Sequence, residues 1–141
     1  MKEVRINKIK KNATIIEYDF SVTDNLKNYF SGKPFVIEYP ENIESVPDAI
    51  AVIPFVCNVL PIIWLTDSKF VLNELDEAFF RCIPEVKKGY ETMYPESDFR
   101  GEIVVNHVIA CNVSGTGKKA MFYSGGLDSI QTLISHLDEK P

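Results

Sequence analysis

Three short runs of β-branched and aromatic residues occupy the first part of the chain. They are Val4 to Ile9, Ala13 to Phe20 and Pro34 to Tyr39. The polar residues Lys10 to Asn12 separate the first two runs and have turn character, so the pattern predicts a β-hairpin. The third run predicts a further strand, which Pro40 ends because proline cannot donate to a strand ladder.

A long apolar segment follows, from Ala49 to Leu60. Ser45 can cap a helix there, and Pro47 fits its first turn, where a missing N–H costs nothing. Apolar residues lie on nearly all sides, which predicts a buried helix, kinked at Pro54. The next five residues, Pro61 to Leu65, predict a short strand leaving the helix.

A second helical pattern begins at Asn73, which we expect to cap it. Pro84 interrupts the pattern and predicts either two abutting helices or one bent helix. Gly101 to Cys111 then reads as a strand that is apolar on both faces, which favours an internal position in a sheet. The apolar positions at three- and four-residue spacing are Leu75, Phe79, Ile83, Val86, Tyr90 and Met93.

The last part of the chain predicts a strand, a glycine loop and a helix in that order. Lys119 to Tyr123 is the short strand, Ser124 to Ser129 the loop, and apolar residues at helical spacing follow. The small polar stretch 114–118 predicts a linker. We therefore expect an N-terminal domain over 1–113, with a hairpin, strands and a helical layer, and the first β-loop-α unit of a parallel α/β domain over 119–141. The fold class is α+β or mixed α/β.

Composition and charge limit the classes of function. With 141 residues, 45% of them hydrophobic, the chain is large enough for a real core. A formal net charge of -5 argues against a broad nucleic-acid surface, which needs clustered cations. The basic stretch Lys2 to Lys11 alternates with apolar residues and is typical of the solvated face of a strand. The sequence shows no secretory signal and no apolar stretch of membrane-spanning length, which predicts a cytoplasmic protein.

The cysteines and histidines give no sign of a metal or nucleophilic site. Cys57, Cys82 and Cys111 are odd in number and widely spaced, so we expect buried, reduced thiols. His107 and His136 lack the neighbouring ligands that a zinc site requires. Core or surface positions are expected for both histidines.

The loop Ser124-Gly125-Gly126-Leu127-Asp128-Ser129 has the chemistry of a phosphate site. The first N–H groups of a helix lack intrahelical acceptors and carry partial positive charge, so they attract anions. Gly125 and Gly126 allow the backbone to approach an anion closely, and Ser124 and Ser129 add hydroxyl donors. Asp128 can stabilise the helix start or hold a magnesium ion that bridges phosphates. An ordinary strand-to-helix turn is the structural alternative.

This loop resembles the signature Ser-Gly-Gly-x-Asp-Ser of the PP-loop ATP pyrophosphatase superfamily, whose members are adenine nucleotide alpha-hydrolase-like proteins. All five specified positions match, and a chance match in a chain of this size is expected in well under about one sequence in a thousand. The resemblance covers only about Ala120 to Leu137. Members such as asparagine synthetase, GMP synthetase, NAD synthetase, tRNA-thiolating enzymes and 7-cyano-7-deazaguanine synthase activate a substrate by adenylation and release pyrophosphate.

The resemblance implies ATP and Mg2+ as cofactors. Ser124, Gly125, Gly126 and Ser129 would bind the β- and γ-phosphates, and Asp128 would act through magnesium or brace the loop. The implied reaction is ATP-dependent adenylation of a small molecule or nucleotide, for amide, amidine or thio-group formation. No catalytic residue beyond the loop is implied.

Because an open parallel sheet assembles a nucleotide site from several strand ends, we expect this chain to be the N-terminal fragment of a longer ligase-type or transferase-type enzyme. Alone it is then expected to be inactive and to bind ATP weakly, and either to self-associate through its apolar C-terminal end or to be disordered beyond about Ser124. The role of residues 1–113 stays open between substrate recognition, packing against the catalytic domain and oligomerisation. The competing hypothesis is a non-catalytic binding or scaffolding module.

Overall fold

The computed structural model describes residues 2–111 and 126–137. The chain divides into two compact units, residues 1–111 and 112–141, and each is described by itself. The first unit is a mixed α+β structure with a five-stranded sheet, so the expected coarse fold class is confirmed. The predicted linker 114–118 and the predicted strand Lys119 to Tyr123 lie outside the described residues.

The sheet has the strand order β3-β2-β1-β4-β5. Strands β1 and β2 form an antiparallel hairpin, as predicted, and β3 adds to β2 in antiparallel fashion. Strand β4 pairs in parallel with β1 on one side and with β5 on the other. The strands are β1 (Glu3–Asn12), β2 (Ile15–Val22), β3 (Phe35–Glu38), β4 (Lys69–Asp76) and β5 (Glu102–Ile109).

The hairpin turns at Ala13 and Thr14, two residues later than the lysine-rich turn that the sequence predicted. Ala13 adopts a left-handed backbone, with φ of 48°. Its N–H donates to the Glu44 carboxylate at 3.0 Å, and its carbonyl accepts from the Ile43 N–H at 2.8 Å. These two contacts with a distant loop hold a conformation that alanine adopts at some cost.

Strand β1 carries a β-bulge at Asn7, because the register with β2 shifts between Ile6 and Lys8. The extra residue moves Ile9, rather than Lys8, onto the face opposite Tyr18. The bulge therefore explains why the apolar residues Val4, Ile6 and Ile9 are spaced by two residues and then by three. Lys8 stays exposed, in keeping with the predicted solvated face.

Two consecutive helices follow β3, namely α1 (Asp48–Ala51) and α2 (Ile53–Leu65). The break falls at Val52, and Pro54 then occupies the first turn of α2, where proline is tolerated. The predicted strand Pro61 to Leu65 is wrong, because α2 continues through Pro61 to Leu65. The buried face of α2, with Ile63 fully inaccessible, holds this segment helical against its local preference.

Phe55 of α2 lies at the centre of the core. Its ring is 4.9 Å from the ring of Phe20, 5.2 Å from those of Tyr18 and Phe35, and 6.0 Å from that of Phe70. Aromatic pairs at these separations stabilise a core beyond the area that they bury. A 3-10 helix, Asp24–Tyr29, contributes the buried Leu26.

Helix α3 (Glu77–Met93) follows β4 without a loop and leads to β5. The predicted helix start at Asn73 is wrong, because Lys69–Asp76 is a strand and Asp76 is the N-cap. The Asp76 carboxylate accepts from the Phe79 N–H at 3.0 Å. Pro84 lies inside this single helix, and Trp64 of α2 packs edge-on against Tyr90 at 5.7 Å.

Strand β5 is the last strand of the sheet within the described residues, whereas the sequence favoured an internal strand. In the described part of the chain, the expected cover on both faces is also absent over the second half of β5, where Asn106, His107 and Val108 are exposed. Val108 is 43% exposed. Among the helices of the described residues, none has both the length and the apolar character needed to cross a bilayer.

Candidate functional site

Helix α4 (Leu127–Leu137) begins directly after Gly126, where the sequence predicted a glycine loop leading into a helix. The Ile130 N–H donates to the Gly126 carbonyl at 3.1 Å, which closes the first turn. Ser124 and Gly125, the first two residues assigned to the site, lie outside the described residues. Gly126, Asp128 and Ser129 are described and lie together at the start of the helix.

The side chains of the first turn have defined partners. The Ser129 hydroxyl donates to the Gly126 carbonyl at 2.8 Å, which ties the turn to the glycine. The Thr132 hydroxyl donates to the Asp128 carbonyl at 2.8 Å, one turn further on. Ser129 was expected to donate to a phosphate, so its hydroxyl would rotate away from Gly126 to do so.

Asp128 is exposed in the first turn of α4. A carboxylate there interacts favourably with the partial positive charge of the helix start. In 2–111 and 126–137, no group of three or more His, Cys, Asp or Glu side chains could hold a metal ion. Asp128 alone still fits Mg2+, since this ion is often held by one or two carboxylates together with substrate phosphates.

Two features of the described helix start bear on anion binding. Gly126 is exposed and has no Cβ. The dipole of the eleven-residue helix favours negative charge at this end. Asp128 opposes an anion unless a cation lies between them, which is consistent with a magnesium-bound phosphate.

No protein-family model, no curated protein and no solved structure matches this chain.

The apolar face of α4 is open to solvent. Leu127 is 83% exposed and Ile134 is 56% exposed, and Ile130 and Leu133 are also exposed. The helix face that the sequence predicted is therefore present but not buried. Such a face favours association with another apolar surface.

The three cysteines are free, but the expectation that they are buried is wrong. Cys57 and Cys82 are exposed, and Cys111 is half-buried. Cys57 and Cys82 line a groove of about 190 Å³ between α2 and α3. Partial burial raises the pKa of the Cys57 thiol, which disfavours the reactive thiolate.

Sequence reasoning did not bring together three asparagines that lie on neighbouring strands of the sheet. Asn7, Asn73 and Asn106 lie on the three neighbouring strands β1, β4 and β5. Asparagine is depleted in strands because its side chain competes with the ladder for hydrogen bonds. Each of these asparagines interrupts an apolar run, which is visible in the sequence. That the three lie on neighbouring strands follows only from the strand order.

Proposed function

We propose that Ser124 to Ser129 binds the β- and γ-phosphates of ATP in an enzyme that adenylates its substrate. The reaction class is activation for amide, amidine or thio-group formation on a small molecule or nucleotide. The observation that carries the proposal is the Ser-Gly-Gly-Leu-Asp-Ser sequence, whose last residues form the first turn of α4.

The reaction has two displacement steps. A substrate oxygen attacks the α-phosphorus of ATP, the bond from that phosphorus to the bridging oxygen breaks, and pyrophosphate leaves. A nitrogen or sulfur nucleophile then attacks the adenylated carbon, and AMP departs with the oxygen. In the first step the task of the loop would be to hold the β- and γ-phosphate oxygens while negative charge builds on the departing pyrophosphate.

Each residue of the loop would make a different contact with the phosphates. The backbone at Gly125 and Gly126 would approach the phosphate oxygens closely, and the hydroxyls of Ser124 and Ser129 would donate to them. Asp128 would orient a magnesium ion bound to the same phosphates or brace the loop. Magnesium, when bound, supplies charge neutralisation of the pyrophosphate.

The first unit would serve this reaction by recognising the acceptor substrate, packing against catalytic elements or mediating oligomerisation. A non-catalytic binding module is the competing function, and the exposed apolar face of α4 suits a scaffolding contact equally well. Turnover of ATP separates the two functions.

The decisive assay is pyrophosphate release from ATP by the natural full-length protein in the presence of candidate acceptors. Ser124→Ala and Asp128→Asn are expected to lower kcat/KM at least tenfold, because the first removes a hydrogen bond to the leaving group and the second weakens the hold on magnesium or on the loop. Ser135→Ala is the matched control, since Ser135 lies on the same helix and its hydroxyl donates only locally, to the Gln131 carbonyl at 2.9 Å.

Activity retained in both loop variants would remove the loop from the mechanism. Absence of both ATP binding and acceptor-dependent pyrophosphate release would favour the non-catalytic binding or scaffolding function instead.

A further inference from the structure

Strand β3 pairs with only the first half of β2. Its four residues join Ile15 to Tyr18, and within the described residues the rest of β2 has no neighbour on that edge. A loop over residues 30–34 runs beside this open half and leads from the 3-10 helix to β3. The ring of Phe30 in the loop lies 5.8 Å from the ring of Phe20 on β2, which in turn lies 4.9 Å from that of Phe55 on α2. The loop therefore approaches the face of the sheet that α2 covers.

A cleft of about 230 Å³ lies between this loop and α2, and we call it the aromatic cleft. Its aromatic lining is Phe20, Tyr29, Phe30, Phe35 and Phe55. An engineered apolar cavity of about 150 Å³ in another protein holds one benzene ring. The aromatic cleft therefore has room for one ring with a short substituent, and it is smaller than the roughly 300 Å³ at which pockets for drug-sized ligands begin.

The apolar walls of the aromatic cleft lie on one side of the sheet. Phe55, Val59 and Ile62 follow each other at four- and three-residue spacing, so they share one face of α2. Phe20 and Phe35 lie on the same side, because their rings are 4.9 Å and 5.2 Å from that of Phe55. A ring placed between the loop and α2 therefore meets apolar groups from the helix and from the sheet.

Of the residues that line the aromatic cleft, Lys33 alone is charged. Its side chain is exposed and forms no ion pair with the described residues. The acids on the neighbouring strand, Glu17 and Asp19, alternate with Tyr18 and Phe20 and therefore point to the opposite face of the sheet. The cleft thus has an apolar interior and one positive charge at its exposed rim.

Two polar residues of the lining add hydrogen-bond donors. The Ser31 hydroxyl oxygen accepts from the Lys33 N–H at 3.3 Å, and its own hydrogen is still able to donate. One N–H of the exposed Asn58 amide donates to the Pro54 carbonyl at 2.8 Å, which leaves the second N–H. Donors beside an ammonium suit a carboxylate, which only accepts. At an exposed rim this group keeps part of its hydration, so the large cost of burying an ion is avoided.

We propose that the aromatic cleft binds a small arylalkanoate, a molecule with one apolar ring and a carboxylate on a short arm. The ring packs against Phe20, Phe30 and Ile62, where aromatic contacts add to the burial of apolar area. The carboxylate lies at the rim beside Lys33 and Ser31. A ring that carries a cation is disfavoured by Lys33, and a carboxylate without a ring gains only an exposed ion pair, which is worth little.

The test is a titration of the ¹⁵N-labelled 141-residue chain with 3-phenylpropionate, 2-phenylethylamine and acetate, without ATP. 3-Phenylpropionate is expected to shift the backbone amides of residues 29–33 and 58–62 saturably, with a Kd of roughly 1 mM for so small a ligand. 2-Phenylethylamine, which has the ring but the opposite charge, is expected to bind several-fold more weakly. Acetate is expected to shift none of these amides.

Lys33→Met tests the charge, because it keeps the apolar stem and removes the ammonium. It is expected to weaken 3-phenylpropionate by about two- to fivefold, the effect of one exposed ion pair, without weakening 2-phenylethylamine. Lys88→Met is the matched control, since Lys88 is exposed on α3, lies outside the cleft and changes the net charge equally. Because Lys33 is exposed, its replacement leaves the core intact.

Ile62→Trp tests the location, because the larger side chain fills the cleft, and it is expected to abolish the shifts. Leu65→Trp on the same helix is its control, since Leu65 is 54% exposed and outside the lining. Should Ile62→Trp fail to fold, Lys33→Met and the wild-type shift map decide the outcome.

Absence of a saturable shift with 3-phenylpropionate, or shifts confined to other residues, would overturn the proposal. Equal or tighter binding of 2-phenylethylamine, or equal affinities in Lys33→Met and Lys88→Met, would also overturn it. The cleft is formed by the first unit and ATP is absent throughout, so failure here leaves the adenylation proposal standing.

Discussion

The hydroxyl of Tyr18 on β2 donates to the carbonyl of Ala51, the last residue of α1, at 2.6 Å. The Tyr18 side chain is only 2% exposed and stacks on Phe55. This contact joins the hairpin to the helical layer through one buried hydrogen bond. Burial, and to a smaller extent the neighbouring Tyr39, raises the pKa of Tyr18 above its ordinary value of 10.0.

The Tyr18 phenol predicts a loss of stability at alkaline pH. Since the pKa is higher in the folded state than in the unfolded state, the unfolded protein loses this proton first as pH rises. The contribution of Tyr18 is therefore complete below about pH 10 and declines as pH rises above that value. Urea unfolding between pH 8 and 11 is expected to show this decline.

Tyr18→Phe tests the assignment. At pH 8 it is expected to cost about 1 kcal/mol, from the lost hydrogen bond, while flattening the alkaline decline. Tyr29→Phe is the control, because Tyr29 is 58% exposed. An alkaline decline of the same size in Tyr18→Phe and the wild type would show that another group causes it.

Replacement of glycine by alanine is expected to change the stability in opposite directions at Gly101 and Gly89. A Cβ on Gly101 would lie 2.0 Å from the Ile63 carbonyl oxygen and 2.8 Å from that of Ser68, whereas a Cβ on Gly89 meets nothing within 4 Å. Gly101→Ala is expected to cost on the order of 3 kcal/mol, because backbone would have to move. Gly89→Ala in α3 is expected to stabilise by about 0.5–1 kcal/mol, and thermal melts of the pair would measure both. Equal effects would contradict the close approach of β5 to the end of α2.

The cap that Asp76 provides at the junction of β4 and α3 is expected to make a measurable contribution to stability. One carboxylate oxygen accepts from the Phe79 N–H, and the other from the Cys111 N–H at 3.4 Å. Asp76→Ala is expected to lower the free energy of unfolding by about 0.5–2 kcal/mol, and Asp76→Asn by less, since asparagine also caps helices. A helix start at Asn73 would instead make Asn73→Ala the more costly substitution.

The exposed face of α4 predicts self-association. Leu133→Glu combined with Ile134→Glu is expected to lower the weight-average mass in light scattering at high protein concentration, because both side chains are exposed. Val36→Glu, on an exposed position of β3, serves as the control. A monodisperse monomer in the wild type would remove this role from the helix.

The elements that were predicted correctly are those that apolar spacing and turn residues within the segment itself determine. The hairpin, β3, the helical segment from Ala49 to Leu60 and helix α4 follow from periodicity and turn residues. The turn was misplaced by two residues because contacts of Ala13 with Ile43 and Glu44 set it, and these residues are distant in sequence.

The two wrong elements are ones that distant contacts decide. Pro61 to Leu65 has the composition of a strand, yet its burial beside Tyr90 and the core keeps it helical. Lys69–Asp76 joins two parallel strands that are remote in the chain, while Leu75 happens to continue the spacing of α3.

The most direct test of the phosphate-binding loop is a titration of the ¹⁵N-labelled natural full-length protein with magnesium pyrophosphate, followed at the backbone amides. Saturable shifts at Gly125, Gly126 and the first turn of α4, with the affinity lowered roughly tenfold in Ser124→Ala, are the predicted result. Amides at these positions that stay unmoved while pyrophosphate binds elsewhere would contradict the account.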